Sequence, residues 1–81
     1  MSVQDVDDLT CQKATDVRRR YPSFEILWKG VIMFEVSATD DGAPRITFHE
    51  GVGGKRFRLE KFEATVARCM RWLSEEMNQG D

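Results

Sequence analysis

The C-terminal stretch, residues 61–78, constrains the fold more than any other part of the chain. Its apolar residues recur at steps of four, three, one, three and four, the spacing of one face of an α-helix: Phe62, Val66, Cys69, Met70, Leu73 and Met77. These residues span an arc of roughly 100° around the helix axis, wide enough to cover one side of a small sheet. We therefore predict a C-terminal helix packed on whatever the earlier residues form.

Residues 3–20 also show a helical period, although the apolar stripe is narrow. One side of the wheel is apolar or weakly polar: Val3, Val6, Leu9, Thr10, Ala14, Val17 and Tyr21. The other side carries Asp5, Asp8, Gln12, Asp16 and Arg19. Arg18, Arg19 and Arg20 would suit the negative end of a helix dipole, and Pro22 would stop the helix. The pattern predicts a first helix over residues 3–20.

Between these stretches the apolar residues alternate, which indicates β-strands. The two runs on either side of Gly30 predict a hairpin, and its loop decides the register. A three-residue loop, residues 28–30, places all five of the following on one face, whereas a two-residue turn mixes the faces: Phe24, Ile26, Ile32, Phe34 and Val36. We prefer the three-residue loop; a single bent strand with a bulge at Gly30 also keeps that face.

A third strand is predicted at residues 45–49, after a turn centred on Asp40 and Asp41, with Ile46 and Phe48 facing inward. Residues 55–59 are either a short fourth strand or an extended lead into the last helix. The chain is thus expected to be a single α+β domain over residues 1–81. Its predicted order is α-β-β-β-(β)-α, an antiparallel meander of three or four strands with both helices packed on one face.

Composition and charge exclude several classes of protein. The net charge of −2 and the pI of about 5.4 disfavour bulk binding to nucleic acid or to anionic membranes. No apolar run reaches the ~20 residues that a membrane span needs, and no signal-peptide pattern opens the chain. We expect a cytoplasmic protein with reduced thiols, because two cysteines are too few for a disulfide framework.

The residues that often carry chemistry do not form a recognisable pattern. The glycines of residues 51–54 lack the spacing of a phosphate-binding loop, since His49 and Arg56 stand where glycine and a hydroxyl are needed. His49 is the only histidine, and Cys11 and Cys69 are predicted on different helices. We therefore expect no catalytic, cofactor-binding or metal-ligating residues, and no enzyme.

Two basic clusters support a nucleic-acid alternative: Arg18, Arg19 and Arg20, and then Lys55, Arg56, Arg58 and Lys61. The predicted order α-β-β-β-α, with a glycine-containing loop and basic residues before the last helix, is similar to the double-stranded RNA-binding domain. That resemblance implies contact of the second cluster with RNA phosphates. The acidic pI ranks this alternative second.

The function that we expect is non-catalytic binding to a larger protein or complex, which could itself handle nucleic acid. Small size and mixed charge are typical of regulators and inhibitors that phages or mobile elements encode. Trp28 and Trp72 lie off the predicted apolar faces, as interface anchors often do. Negative charge for a basic partner comes from Asp5, Asp8, Asp16, Asp40 and Asp41. Both a monomer and a homodimer remain open.

Overall fold

The computed structural model describes residues 3–79, which form six strands and one α-helix. In chain order these are β1 (Gln4–Val6), β2 (Thr10–Ala14), β3 (Ser23–Trp28), β4 (Val31–Ala38), β5 (Pro44–Phe48), a 3₁₀ turn (Glu50–Val52), β6 (Lys55–Phe57) and α1 (Leu59–Gln79). The α+β class and the C-terminal helix are as predicted. Within residues 3–79 there is no helix with the length and apolar character that crossing a membrane requires.

The strands form two sheets. The larger is an antiparallel meander in the order β2-β3-β4-β5, in which neighbours in sequence are neighbours in space. The smaller is the parallel pair β1 and β6, with Asp5 directly opposite Arg56. Residues 55–57 are thus a strand, as one of the two predictions for this segment had it, but the strand pairs with the N-terminus rather than extending the meander.

The predicted N-terminal helix over residues 3–20 is wrong, and with it the order α-β-β-β-(β)-α. This segment instead forms β1, β2 and the loop that leads to β3. Its narrow apolar stripe would bury little surface, and most helix stability in proteins comes from such burial. As a strand, residues 10–14 pair along β3, from Thr10 opposite Leu27 to Ala14 opposite Ser23. Pairing with β3 therefore gives hydrogen-bond partners to the backbone groups on the inner side of β2.

The β3–β4 hairpin reaches the predicted face by a different route. Its loop has two residues, Lys29 (φ 50°) and Gly30 (φ 79°), and positive φ at both central positions is the signature of a type I′ turn. The register then shifts: Leu27 lies opposite Ile32, but Ile26 lies opposite Phe34. Met33 is therefore the extra residue of a β-bulge, which turns the rest of β4 over.

This bulge explains which face predictions succeed. Phe24, Ile26, Phe34 and Val36 share the buried face, as predicted, and each is at most 3% exposed. Ile32 precedes the bulge and lies beside Leu27 on the opposite side, so its predicted inward position is wrong. The preferred three-residue loop is wrong as well, because the bulge supplies the one-residue offset that we had assigned to the turn.

α1 packs across the buried face of the meander. Near its start, the Phe62 ring lies 5.1 Å from the Phe34 ring on β4. Further along, Trp72 lies 5.7 Å from Phe24 on β3, and Glu76 pairs with Lys13 on β2 at 2.5 Å. These contacts show that α1 runs diagonally, from the β5 side of the sheet at its start to the β2 side at its end. Part of β5 is therefore left without a helix above it.

Candidate interaction surface

β5 is an edge strand whose five residues are all exposed. It ends the order β2-β3-β4-β5, and in the part of the chain that the structure describes no strand lies on its outer side. An open edge of this kind presents unpaired N–H and C=O groups, to which another extended segment can add.

The hydrogen bonds at both ends of β5 show which of its backbone groups point outward. The His49 N–H donates to the Met33 carbonyl at 2.9 Å, and the Thr39 N–H donates to the Ala43 carbonyl at 2.9 Å. In an antiparallel pair such bonded positions alternate with non-bonded ones, so residues 45 and 47 point their backbone groups toward β4. The backbone groups of Ile46 and Phe48 consequently point away from the sheet.

Pro44 supports the same assignment. It occupies an outward position by this alternation, and proline, which has no N–H to donate, is found in sheets on the solvent side of edge strands. The outer edge of β5 therefore offers two N–H donors, from Ile46 and Phe48, and three carbonyl acceptors, from Pro44, Ile46 and Phe48.

The side chains next to this edge are apolar. Ile46 and Phe48 project to the same side of the sheet as α1, yet Ile46 is 38% exposed and Phe48 is 54% exposed. Their predicted inward direction is correct, but neither is buried, because α1 begins near Phe48 and then runs away from β5. Phe48 stacks on Phe62 with ring centroids 6.3 Å apart, and Leu59, one turn before Phe62, is 70% exposed. We call the outer edge of β5 together with the side chains of Ile46 and Phe48 the β5 surface.

The opposite face of β5 is polar. The Arg45 Nε donates a hydrogen bond to Ser37 Oγ at 3.3 Å. His49 Nε2 lies 3.5 Å from Glu35 Oε1, which is too long for a hydrogen bond, and this buried nitrogen has no hydrogen-bond partner among residues 3–79. Glu35 lies opposite Thr47, two residues before His49, so this carboxylate belongs to the neighbouring strand.

The two tryptophans occupy different environments. Trp28 is a strand residue at the end of β3, only 8% exposed, and its Nε1–H donates to Asp7 Oδ1 at 3.3 Å. Its predicted place in the hairpin loop, off the apolar face, is wrong. Trp72 is 38% exposed, with one side against Phe24 and the Arg68 guanidinium 5.7 Å from its ring. Trp72 is thus the one of the two that a partner can reach.

The acidic residues do not form one surface, because the helix that would align them does not exist. Asp16 accepts two bonds from the Arg18 guanidinium, which holds the pKa of Asp16 below its usual value. Asp41 accepts a hydrogen bond from Thr39 within the turn, which lowers the pKa of Asp41. The main-chain carbonyl of Asp40 accepts from Arg20 at 3.4 Å. The side chains of Asp16 and Asp41 therefore stabilise the local turns in which they lie.

Two further acidic residues lie near the β1–β6 pair. Asp5 forms an ion pair with Arg56 at 2.7 Å, and the hydrogen bond and charge of that guanidinium lower the pKa of Asp5. Asp8 is exposed in the β1–β2 connection, at a depression that it shares with Lys61. The acidic site predicted for a basic partner is consequently dispersed over three parts of the molecule.

The two basic clusters are also dispersed and partly neutralised. Arg56 is paired with Asp5, Arg58 with Glu60 at 2.5 Å, and Arg18 with Asp16 at 3.1 Å. The Lys55 Nζ lies 5.9 Å from the Trp28 ring. Four cations of the predicted set have no ion pair among residues 3–79: Arg19, Arg20, Lys55 and Lys61. The topology that resembled a double-stranded RNA-binding domain is absent, since that resemblance required the N-terminal helix.

The structure brings together one pair that the sequence analysis had separated. The Sγ atoms of Cys11 on β2 and Cys69 on α1 lie 3.7 Å apart. Burial raises the pKa of both thiols, that of Cys69 to about 12. The residues are 58 positions apart, and no local pattern in the sequence indicates their contact.

The residues that the structure describes contain no cluster of three or more His, Cys, Asp or Glu side chains suited to a metal ion. Comparison of the chain with protein-family models, with curated proteins and with solved structures found no match in any of the three. The β5 surface is therefore assigned on its own geometry.

Proposed function

We propose that this chain is a non-catalytic protein-binding module that regulates or inhibits a larger protein by adding an extended segment of that partner to β5. The observation that carries the proposal is the open edge of β5, with the outward backbone groups of Ile46 and Phe48 beside their exposed side chains. Strand addition at an open sheet edge is a common mode of peptide recognition, in which main-chain hydrogen bonds give affinity and alternate side chains give specificity.

The arrangement of the β5 surface indicates what the partner segment carries. An added strand would place every second side chain on the α1 side of the sheet, against Ile46 and Phe48. Apolar residues at those alternate positions would cover the exposed rings and methyl groups. The proposed partner therefore contains an accessible extended segment with alternating apolar residues.

The thiols support a non-catalytic role. A reactive cysteine is one whose pKa is lowered by nearby positive charge, whereas burial raises the pKa of Cys11 and Cys69. Both are uncharged thiols at neutral pH and hence weak nucleophiles. We also propose a cytoplasmic location. Two cysteines are too few for a disulfide framework, and a reducing compartment would keep both thiols reduced.

The test uses two substitutions on neighbouring residues of one strand. Ile46→Lys places a charge on the apolar side of β5, and Thr47→Lys places the same charge on its polar side. Proteins captured from the native host by the wild-type chain are identified by mass spectrometry, and the affinity of the purified partner for each variant is then measured by calorimetry. Thermal melts establish that both variants are folded.

We expect Ile46→Lys to weaken partner binding by about tenfold or more, as loss of an interface anchor does, while Thr47→Lys leaves it within about twofold. Equal affinities for both variants would contradict the proposal. Sedimentation tests the competing occupant, a second copy of the chain. A stable dimer of the wild-type protein that Ile46→Lys dissociates would replace the partner segment by a copy of β5 and overturn the proposal as stated.

A further inference from the structure

The contact between Cys11 and Cys69 is a second feature, and it does not depend on the proposed function. With 3.7 Å between the Sγ atoms, the two side chains already point at each other from separate elements. A disulfide bond is about 2.05 Å long, so bond formation requires the two sulfur atoms to move closer together by less than about 2 Å.

The two thiols differ in access. Cys69 is fully buried, whereas Cys11 is half-buried and lines a cavity of about 360 Å³ at the surface. The cavity lies between β2 and the last turns of α1, and its other lining residues are Lys13, Phe24, Trp72, Glu75 and Glu76. A small oxidant therefore reaches Cys11 first, whereas Cys69 is shielded from solvent.

We propose that Cys11 and Cys69 form a reversible intramolecular disulfide bond, with hydrogen peroxide as the oxidant. The Cys11 thiolate attacks one peroxide oxygen, the O–O bond breaks, and hydroxide leaves, which gives a sulfenic acid on Cys11. The Cys69 sulfur then attacks the Cys11 sulfur, the S–O bond breaks, and water leaves after taking up the Cys69 proton. In balance, two thiols and one peroxide give one disulfide and two waters.

The raised pKa of each thiol fits a slow reaction rather than a fast catalytic one. Because little thiolate is present at neutral pH, ordinary cytosolic conditions leave the pair reduced. Sustained oxidation converts it, and once Cys11 is a sulfenic acid the adjacent Cys69 competes with further oxidation to sulfinic acid. The buried thiol thus protects the accessible one.

The bond would fasten the edge strand β2 to α1. Among residues 3–79, the one ion pair between these two elements is that of Lys13 with Glu76, and the thiol contact lies beside it. The disulfide would close a loop of 59 residues, counted from Cys11 through Cys69, and a long closed loop restricts the unfolded chain strongly. We expect the oxidised protein to melt on the order of 15 °C above the reduced protein.

Peroxide treatment of the purified protein, followed by mass spectrometry and thermal melts, tests this inference. The expected result is a monomer lighter by two hydrogen atoms, a peptide that links Cys11 to Cys69, and a raised melting temperature that dithiothreitol reverses. Cys11→Ala and Cys69→Ala serve as controls, and neither should show a peroxide-dependent rise.

The linked peptide is sought in the wild-type protein, so the outcome does not depend on whether the buried Cys69→Ala variant folds. Sulfinic acid at Cys11 without any linked peptide would overturn the inference. So would disulfides that join two chains while Cys11 and Cys69 of one chain remain unlinked.

Discussion

Val36 and Ile46 face each other across β4 and β5, yet Val36 is 1% exposed and Ile46 is 38% exposed. The two residues are of the same chemical type, lie on the same face and are one strand apart. Their burial differs because α1 crosses the sheet diagonally and has left β5 by this point. The pair marks the boundary between the part of this face that stabilises the fold and the part that is open to a partner.

Truncation of this pair should separate stability from binding. Val36→Ala should lower the free energy of unfolding by about 2 kcal/mol, since it removes two buried methyl groups and leaves a cavity. Ile46→Ala should cost under about 1 kcal/mol, because its side chain is already partly in water. Urea unfolding measures both values, and equal losses would show that Ile46 belongs to the core.

A substitution at Lys29, in the turn between β3 and β4, should increase the stability of the protein. Its φ of 50° is a conformation that asparagine tolerates better than lysine, and Asn-Gly is the preferred pair for a type I′ turn. Lys29→Asn should therefore raise the free energy of unfolding by about 0.5 kcal/mol, even after loss of the lysine contact with the Trp28 ring. Thermal melts would measure the change.

The matched control for that turn is Gly30→Ala. An added methyl group at Gly30 would meet no atom within 4 Å, so any loss comes from the positive φ of 79° alone. We expect a loss of about 1 kcal/mol. An unchanged melting temperature for Gly30→Ala would indicate that the hairpin adopts a different turn.

The close approach of Gly51 to β4, next to the bulge, should leave no room for a larger residue at position 51. An added Cβ there would lie 2.9 Å from Val31 Cγ1 and 3.2 Å from the Ile32 carbonyl oxygen. Gly51→Ala should lower stability by about 1 kcal/mol or more, since the carbonyl belongs to the sheet backbone and cannot move freely. Gly53→Ala, whose nearest contact would be 3.5 Å, should cost less, and urea unfolding compares the two.

Acid should weaken the β1–β6 pair through Asp5. The Arg56 guanidinium lowers the pKa of Asp5 from its ordinary 3.8, so the carboxylate binds protons less readily in the folded chain than in the unfolded one. The stabilisation is therefore present above about pH 4 and is lost as the pH falls through the lowered pKa of Asp5.

Asp5→Asn should make the melting temperature fall less steeply between pH 5 and pH 2, and Arg56→Gln should do the same. Both residues are exposed, so high salt should also reduce the effect. Identical pH profiles for the wild type and both variants would show that the pair contributes nothing to folding.

The best-predicted parts of the fold are those whose own residues carry a strong period. α1 repeats its apolar residues over about four turns, and packing against the sheet agrees with that pattern. The alternation of Phe24 and Ile26 likewise matches their buried positions. In both elements the local signal and the tertiary contacts favour the same structure.

Elsewhere tertiary contacts overrode the local signal. Residues 10–14 show a helical period, but β3 pairs with all five of them along one edge, and this pairing also brings Cys11 next to Cys69. The bulge at Met33 has no marker in the sequence, and it moved Ile32 off the predicted face. The β5 surface was missed for a related reason: alternation shows which way Ile46 and Phe48 point, but not where a helix above them ends.

The most direct test of the proposed binding mode is amide hydrogen exchange, residue by residue, in the free protein and in the purified complex. In the free protein the outward amides of Ile46 and Phe48 should exchange faster than the amide of Thr47, which is bonded to β4. Addition of a partner strand should slow exchange at Ile46 and Phe48 and change Thr47 little. A complex in which the amides of Ile46 and Phe48 exchange as fast as in the free protein would contradict the assignment of β5 as the binding edge.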